Sequence, residues 1–467
     1  MQSPERARWV LIGSCLALFV LMLDSTEVVL ALPVISRDLH MSPAGVQWVQ
    51  NAYLLMLATA VITCGRLGDI FGRRTVFNAG LLVFAAGTIL AAVSGSELEL
   101  IVARLIQGLG GAAMFALSLA IASNAFPKER QATAVGIWAA ISSIAMGVGP
   151  LLGGVLVQSA GWRWIFWTYL PFLAIGAVIL HRNAANNRDS SAPQTLDIRG
   201  LVTVSAGLAL TILALVELDS WGLSPLSVGV FAAGIAFLAL FYVVEHRVAN
   251  PLVDFLLFRN RPYFGASIAA LALVGSYWTT MFFEPQYLQG NLGYSVIQAG
   301  ILILPVTVPM VFLSPFTGKW MERIGPRRMI VSGLVFATLA LAAIVAVTGS
   351  GGYGLLFIPY LAYGIALALL YAPVSAAAMA AMPREKAGIA AGVMGMLRLM
   401  SGALILALSG ALFQAAGSTS HVPARAFQAA LIAPTLLLAL GAVFAWRLMP
   451  AAEHKHEPAI AHHRMHF

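Results

Sequence analysis

The chain has 467 residues, 60% of them hydrophobic and only 10% charged, with a mean hydropathy of +0.87. An ordinary soluble protein carries about 25% charged residues, so a water-soluble fold is excluded and the chain is read as an integral membrane protein. The formal charge of +8 is spread as single or paired basic residues between apolar runs; without a basic stripe it argues against nucleic acid binding and for positive loops on one side of a bilayer.

A helix needs about 20 apolar residues to cross the hydrocarbon, and only helices or closed barrels can cross. No run alternates as a barrel strand would. The apolar runs predict fourteen helices near 9–33, 45–66, 75–95, 98–122, 131–159, 163–181, 199–219, 225–246, 262–289, 297–319, 328–348, 353–382, 387–414 and 426–449. The first run is too long for a cleaved signal peptide, and it contains Asp24 and Glu27. Cys15 and Cys64 both lie in apolar runs, so no disulfide framework is expected. An even number of spans puts both termini on one side. If that side is the cytoplasm, only Arg37, Arg163 and Arg425 fall in loops on the other side. That split supports the orientation and the span count, and predicts a multi-pass protein of the plasma (inner) membrane with both ends cytoplasmic.

The chain repeats itself weakly. "GRLGDIFGRR" from Gly65 is echoed by "GKWMERIGPRR" from Gly318, and "FPKERQATAVGI" from Phe126 by "MPREKAGIAAGV" from Met382. Two parallel six-helix halves follow, residues 1–182 and 262–450. Residues 183–261 supply a linker and two extra helices, and 451–467 form a tail. Parallel repeats of this kind mark transporters that rock one half against the other. Asn183 to Gln194 reads as a disordered linker. The His-rich tail lacks Cys and fixed spacing, so a flexible cytoplasmic tail is favoured over a metal site.

Four motifs in order carry a resemblance. Gly65-x-Leu67-x-Asp69-x-x-Gly72-Arg73-Arg74, "LDSTEVVLALP" from Leu23, "LIVARLIQGLGGA" from Leu100 and "AMGVGPLLGG" from Ala145 resemble signature segments of the major facilitator superfamily, in its fourteen-helix drug:proton antiporter branch. Two positions depart from the pattern: Ala145 replaces a glycine, and the first helix carries Glu27 and Val29. The resemblance implies an all-α fold of two six-helix bundles plus two helices. It implies that Asp69 pairs with the next loop on the same side, with Arg130 the best candidate, as a latch on the inner gate. It also implies that the "AMGVGPLLGG" segment, with Gly149, Pro150, Gly153 and Gly154, forms a tight outer contact favouring export. From the residues themselves, Gly65 and Gly72 permit a tight turn and close helix approach. Ala145, Gly149 and Gly153 make a small-residue face.

Ionisable groups inside spans are costly and usually functional. Asp24, Glu27, Arg104 and Glu284 fall at a shared depth, which suggests one cavity toward the outer side. Asp24 and Glu27, three residues apart, share a helix face and would titrate as a coupled unit. Arg104 would keep one of them ionised. Asp24 is then the principal proton carrier, with Glu27 or Glu284 accessory or cation-binding. A structural salt bridge is the alternative. Arg398 resembles a recurrent basic position of the branch, with a structural role equally open. Tyr53, Trp278, Phe282 and Tyr371 are candidates for an aromatic substrate pocket, although core packing or lipid contact is the commoner fate of such residues.

The leading expectation is a proton-driven exporter of hydrophobic, cationic compounds, with protons as the only coupling species and no cofactor or metal. The alternatives are an exporter or flippase of an endogenous lipid or metabolite, and a non-transporting sensor or scaffold. No nucleophile–base pair, metal cluster or G-x-x-x-x-G-K-[ST] loop is present, so neither an enzyme nor ATP drive is expected. Partners are small substrates and membrane lipids.

Overall fold

A computed structural model describes residues 4–188, 195–383, 386–417 and 423–450. The His-rich tail and residues 189–194 of the linker lie outside these. Among the described residues fourteen helices are long and apolar enough to cross a membrane, and there is no strand. They are α1 (Pro4–Asp38), α2 (Pro43–Phe71), α3 (Arg73–Val93), α4 (Glu97–Asn124), α5 (Lys128–Ala160), α6 (Arg163–Asn183), α7 (Ile198–Val216), α8 (Pro225–Glu245), α9 (Arg261–Gly290), α10 (Val296–Ile324), α11 (Pro326–Val347), α12 (Gly354–Ala380), α13 (Ala387–Ala415) and α14 (Ala424–Leu448). Every predicted span is found. We call the face that carries Pro4 and Pro450 the terminal face, and its opposite the far face.

Three boundaries differ for physical reasons. Helix α1 does not stop at Pro33 but runs on to Asp38. The missing N–H of Pro33 frees only the Val29 carbonyl, a loss that membrane helices tolerate; in the last turn Arg37 Nε donates to Pro33 O at 3.1 Å. The segment 67–74, left between two predicted helices, is almost entirely helix: α2 continues to Phe71 and α3 starts at Arg73. Only Gly72 breaks it, at φ 103°. The linker expected from Asn183 is ordered through its first residues. Arg74 Nη1 donates to His181 O and Ala184 O, the Arg73 N–H to Asn187 O, and the Thr75 N–H to Asn186 Oδ1.

Gly72 cannot be replaced without loss. A Cβ there would collide with the Asn186 amide, and its backbone lies where side-chain-bearing residues are strained by about 1–3 kcal/mol. Gly72→Ala is therefore expected to lower the midpoint of thermal unfolding and to free the 184–187 segment to proteolysis. An unchanged midpoint would contradict this.

Helices α1 to α6 pack among themselves, as do α9 to α14, and α7 and α8 pair beside them with α7 touching α2 and α13. Among the described residues, close glycine contacts between the two bundles lie toward the far face. There the α5 glycines press on α10: a Cβ at Gly154 would lie 2.9 Å from Ile297 Cα, and one at Gly147 would lie 2.6 Å from Val311 Cγ2. Gly300 of α10 abuts the Pro150 carbonyl, and Gly410 of α13 abuts Gln47 of α2. Three further glycines on these helices test the terminal-face half. At 3.6 residues per turn, Gly136 faces the same way as Gly147, Gly318 as Gly300, and Gly392 as Gly410. A Cβ on any of those three meets nothing within 4 Å. The same helix faces thus touch near the far face and stand apart near the terminal face. At these described positions the bundles close together toward the far face and part toward the terminal face, which leaves a cleft between them there.

Candidate functional site

The in-span charges do not line an outward cavity. Asp24, Arg104 and Glu284 are each 0% exposed and Glu27 is 1%, and the far-face half of the cleft is shut. Each group lies inside its own bundle.

Asp24 and Arg104 form the centre of the first bundle. Arg104 Nη1 donates to both Asp24 carboxylate oxygens at 2.8 Å and to Gln107 Oε1 at 2.8 Å. Its Nε donates to Val49 O at 3.2 Å, and its guanidinium lies 4.2 Å from the Tyr53 ring centroid. Gln107 passes the chain on to Thr88 Oγ1 at 2.9 Å. Four helices, α1 to α4, therefore converge on one ion pair. In a low-dielectric interior such a pair is stable only while both charges and their hydrogen bonds persist. Tyr53, expected in a substrate pocket, is instead part of the cage around Arg104. Its ring is fully covered because Gly108 lets α4 approach its backbone.

Glu27 does not share a partner with Asp24. One residue turns 100° on a helix, so three residues leave a 60° offset, and Glu27 reaches α6, where Tyr169 Oη donates to its carboxylate at 2.8 Å. Its Cα and Cβ rest on Gly153 of α5, where an added Cβ would come within 3.1 Å. One turn earlier, Thr26 fills the space left by Gly149. The small-residue stripe therefore has two neighbours. Gly149 and Gly153 face α1, whereas Gly147, Pro150 and Gly154 face α10 across the bundle boundary. Ala145 is buried on the same helix.

Glu284 on α9 is the exception among the acids. Neither of its oxygens has a hydrogen-bond partner. It lies near Tyr277, Tyr353, Tyr360 and Tyr363, on or beside α9 and α12. Trp278 packs against Gly402 of α13, and Phe282 is buried edge-on to Phe283, so both belong to the second bundle's interior.

At the terminal face the expected Asp69–Arg130 pair is not formed. Asp69 accepts from Arg73 Nε at 3.0 Å and Nη2 at 2.9 Å, one turn along the broken helix. Arg130 is exposed in the first turn of α5, a helix whose terminal-face half stands away from α10. Gly65 is not a turn residue either. It sits within α2, and a Cβ there would make ordinary contact with Ala116 at 3.9 Å. The close approach expected of it belongs to Gly68, which packs on Leu117.

Sequence reasoning missed Gln107, Thr88 and Tyr169, which complete the hydrogen bonding of the buried charges. It also missed Gln50 and Asn51, both 0% exposed on α2. Polar side chains at helical spacing from Arg104, within an otherwise apolar run, were the available signal for Gln107.

A family model described as Major Facilitator Superfamily matches residues 14–406 and 266–464. The tetracenomycin C resistance and export protein of Streptomyces glaucescens is 32% identical over 407 residues, 86% of this chain and 75% of that protein. The drug efflux pump JefA of Mycobacterium tuberculosis is 30% identical over 414 residues, 88% of this chain and 81% of that protein. Among solved structures, a bacterial homolog of the human lysosomal transporter Spinster, described as inward-facing and unoccupied, aligns with a TM-score of 0.68. It covers 96% of this chain and 98% of that one at 16% identity. Matched along its length in sequence and in fold, the chain belongs to the Major Facilitator Superfamily, whose members are membrane transporters and not enzymes.

Proposed function

We propose that this protein exports hydrophobic drugs across the plasma (inner) membrane by alternating access, driven by protons moving inward, with both chain ends in the cytoplasm. The observation that carries the reading is the sealed Asp24–Arg104 pair, tied mechanically to the far-face seal. Asp24 sits on α1, the helix whose Thr26 and Glu27 are keyed into Gly149 and Gly153 of α5. The opposite side of α5 presents Pro150 and Gly154 to α10. A proton delivered to Asp24 removes the charge that holds Arg104, loosens α1 against α4, and shifts the surface on which α5 seals the outer gate. Only interactions that differ between the two states can drive such a shift, and the ion pair is one.

In this reading the terminal face is the cytoplasm, as the Lys and Arg distribution supports, and the open cleft loads drug from that side. Glu27 and Glu284 are accessory proton or cation sites. Asp69 and Arg73 are free to re-pair when the terminal face closes. The expected preference for cationic cargo depended on acids lining the cleft; these acids are enclosed by their own bundles, so it forms no part of this reading. ATP drive forms no part of this reading; the sequence carries no G-x-x-x-x-G-K-[ST] loop.

The test is growth inhibition of a susceptible host with and without the gene, across a panel of cationic dyes, anionic antibiotics and neutral polyketides. Raised tolerance to at least one hydrophobic class, abolished by a protonophore, supports export. Unchanged tolerance throughout, with the protein present in the membrane, contradicts it.

A further inference from the structure

We infer that the open cleft recognises an anionic aromatic substrate through Arg398, Ser375 and Tyr371; the inference rests on the export reading and names its cargo class.

Arg398 lies on α13, six residues beyond Gly392 and about 120° round the helix from it, on the side that meets α12. Its Nη2 donates to Ser375 Oγ of α12 at 2.8 Å, and its guanidinium stands 5.7 Å from the Tyr371 ring centroid. Among the described residues no carboxylate lies within salt-bridge distance of it. Its Nε has no hydrogen-bond partner. This contrasts with Arg104, whose charge is met by a buried carboxylate.

The place of Tyr371 and Ser375 follows from helix geometry. Leu370 turns toward Gly333 of α11 on the outer side of the bundle. Tyr371, about 100° further round, faces away from α11, in line with Gly364, which meets α10 at the Pro305 and Val306 carbonyls. Ser375 is one turn on. Both therefore look into the gap between α10 and α13, the two helices whose terminal-face glycines are open. Tyr371 is 38% exposed there.

A guanidinium carries five N–H donors in a planar fork. Held without a counter-ion in a low-dielectric wall, it is a strong site for a carboxylate or phenolate, which it can grip with two parallel hydrogen bonds. The half-exposed Tyr371 ring beside it offers a flat apolar surface. Together they select a planar aromatic with an ionised acid group. A cation would face repulsion from Arg398, with the acids Asp24, Glu27 and Glu284 out of reach inside the bundles.

The experiment is equilibrium binding to the purified full chain in detergent, with no proton gradient, read by fluorescence anisotropy. Fluorescein is the planar anion and ethidium the planar cation. Wild-type protein is expected to bind fluorescein in preference to ethidium. Arg398→Gln should weaken fluorescein by about tenfold or more, a loss of one charge-assisted pair, and leave ethidium unchanged. Arg398→Lys, which keeps the charge but not the fork, should fall between them. Equal loss of both dyes in Arg398→Gln, unchanged fluorescein binding, or a wild-type preference for ethidium would overturn the inference. If Arg398→Gln does not fold, the wild-type preference and Arg398→Lys still decide it. A protein that binds fluorescein through Arg398 yet does not move it under a pH gradient would leave the inference standing and refute proton-driven export.

Discussion

Asp24→Asn is expected to give a folded protein that lets drug equilibrate across the membrane but no longer concentrates it on the far side. Asparagine keeps the shape of the side chain and one acceptor for Arg104 Nη1, but it cannot take up and release a proton. It also leaves the Arg104 charge uncompensated in a site with 0% exposure. Breaking a buried pair by removing one partner costs about 3–5 kcal/mol, so a marked drop in unfolding midpoint should accompany the loss of pumping. The double variant Asp24→Asn with Arg104→Gln separates these effects. It removes both charges and should regain most of the lost stability while still failing to pump. A double-mutant cycle on thermal stability, run beside drug accumulation in cells, measures both. Wild-type accumulation against a gradient in Asp24→Asn would remove this residue from the proton path.

Gly300→Val should act at the other end of the same chain of contacts. The α10 backbone meets the Pro150 carbonyl so closely that even a Cβ at Gly300 collides with it. Valine adds two methyl groups beyond that point. Overpacking of a tight interface costs about 1–3 kcal/mol. The cost falls only on the far-sealed state, so it shifts the two-state balance by roughly 5- to 150-fold toward the outward-open form. Spin labels at Ser159 on α5 and Ala415 on α13, at the far-face ends of opposite bundles, should report a longer mean separation in Gly300→Val than in the parent. Drug export should fall because the cycle stalls. An unchanged separation with normal export would show that the α5–α10 contact is not the seal.

The fold was largely legible because lipid imposes a single requirement, and fourteen apolar runs met it. The buried acids and Arg104 were legible for the same reason: a charge in a membrane helix stands out from its neighbours. What hydropathy cannot supply is which neighbour a side chain meets. Asp24 and Glu27 share a stretch of sequence, yet a 60° offset sends one to α4 and the other to α6. Tyr53 has the composition of a substrate contact, but α4 closes over it through Gly108. The charged segment 67–74 reads as a connection because charge and glycine usually mark one. In fact Arg73 bonds Asp69 one turn back, and Arg74 bonds the His181 and Ala184 carbonyls at the end of α6. A pairing of Arg130 with Asp69 presupposes a closed gate, and the gate on that face is open. Gly72 was legible for a local reason, since a break between two helices that needs a positive φ is made most readily by glycine.

The account stands on exchange of protons for drug through the buried pair on α1. Its most direct test is the purified protein in sealed liposomes with a pH gradient as the sole energy source, followed by simultaneous recording of internal pH and drug. The account predicts that acid on one side drives drug toward that side against its own gradient, and that an imposed drug gradient moves protons the opposite way. It also predicts that both movements vanish together in Asp24→Asn. Drug accumulation that proceeds with no pH gradient, or that persists in Asp24→Asn, would contradict it.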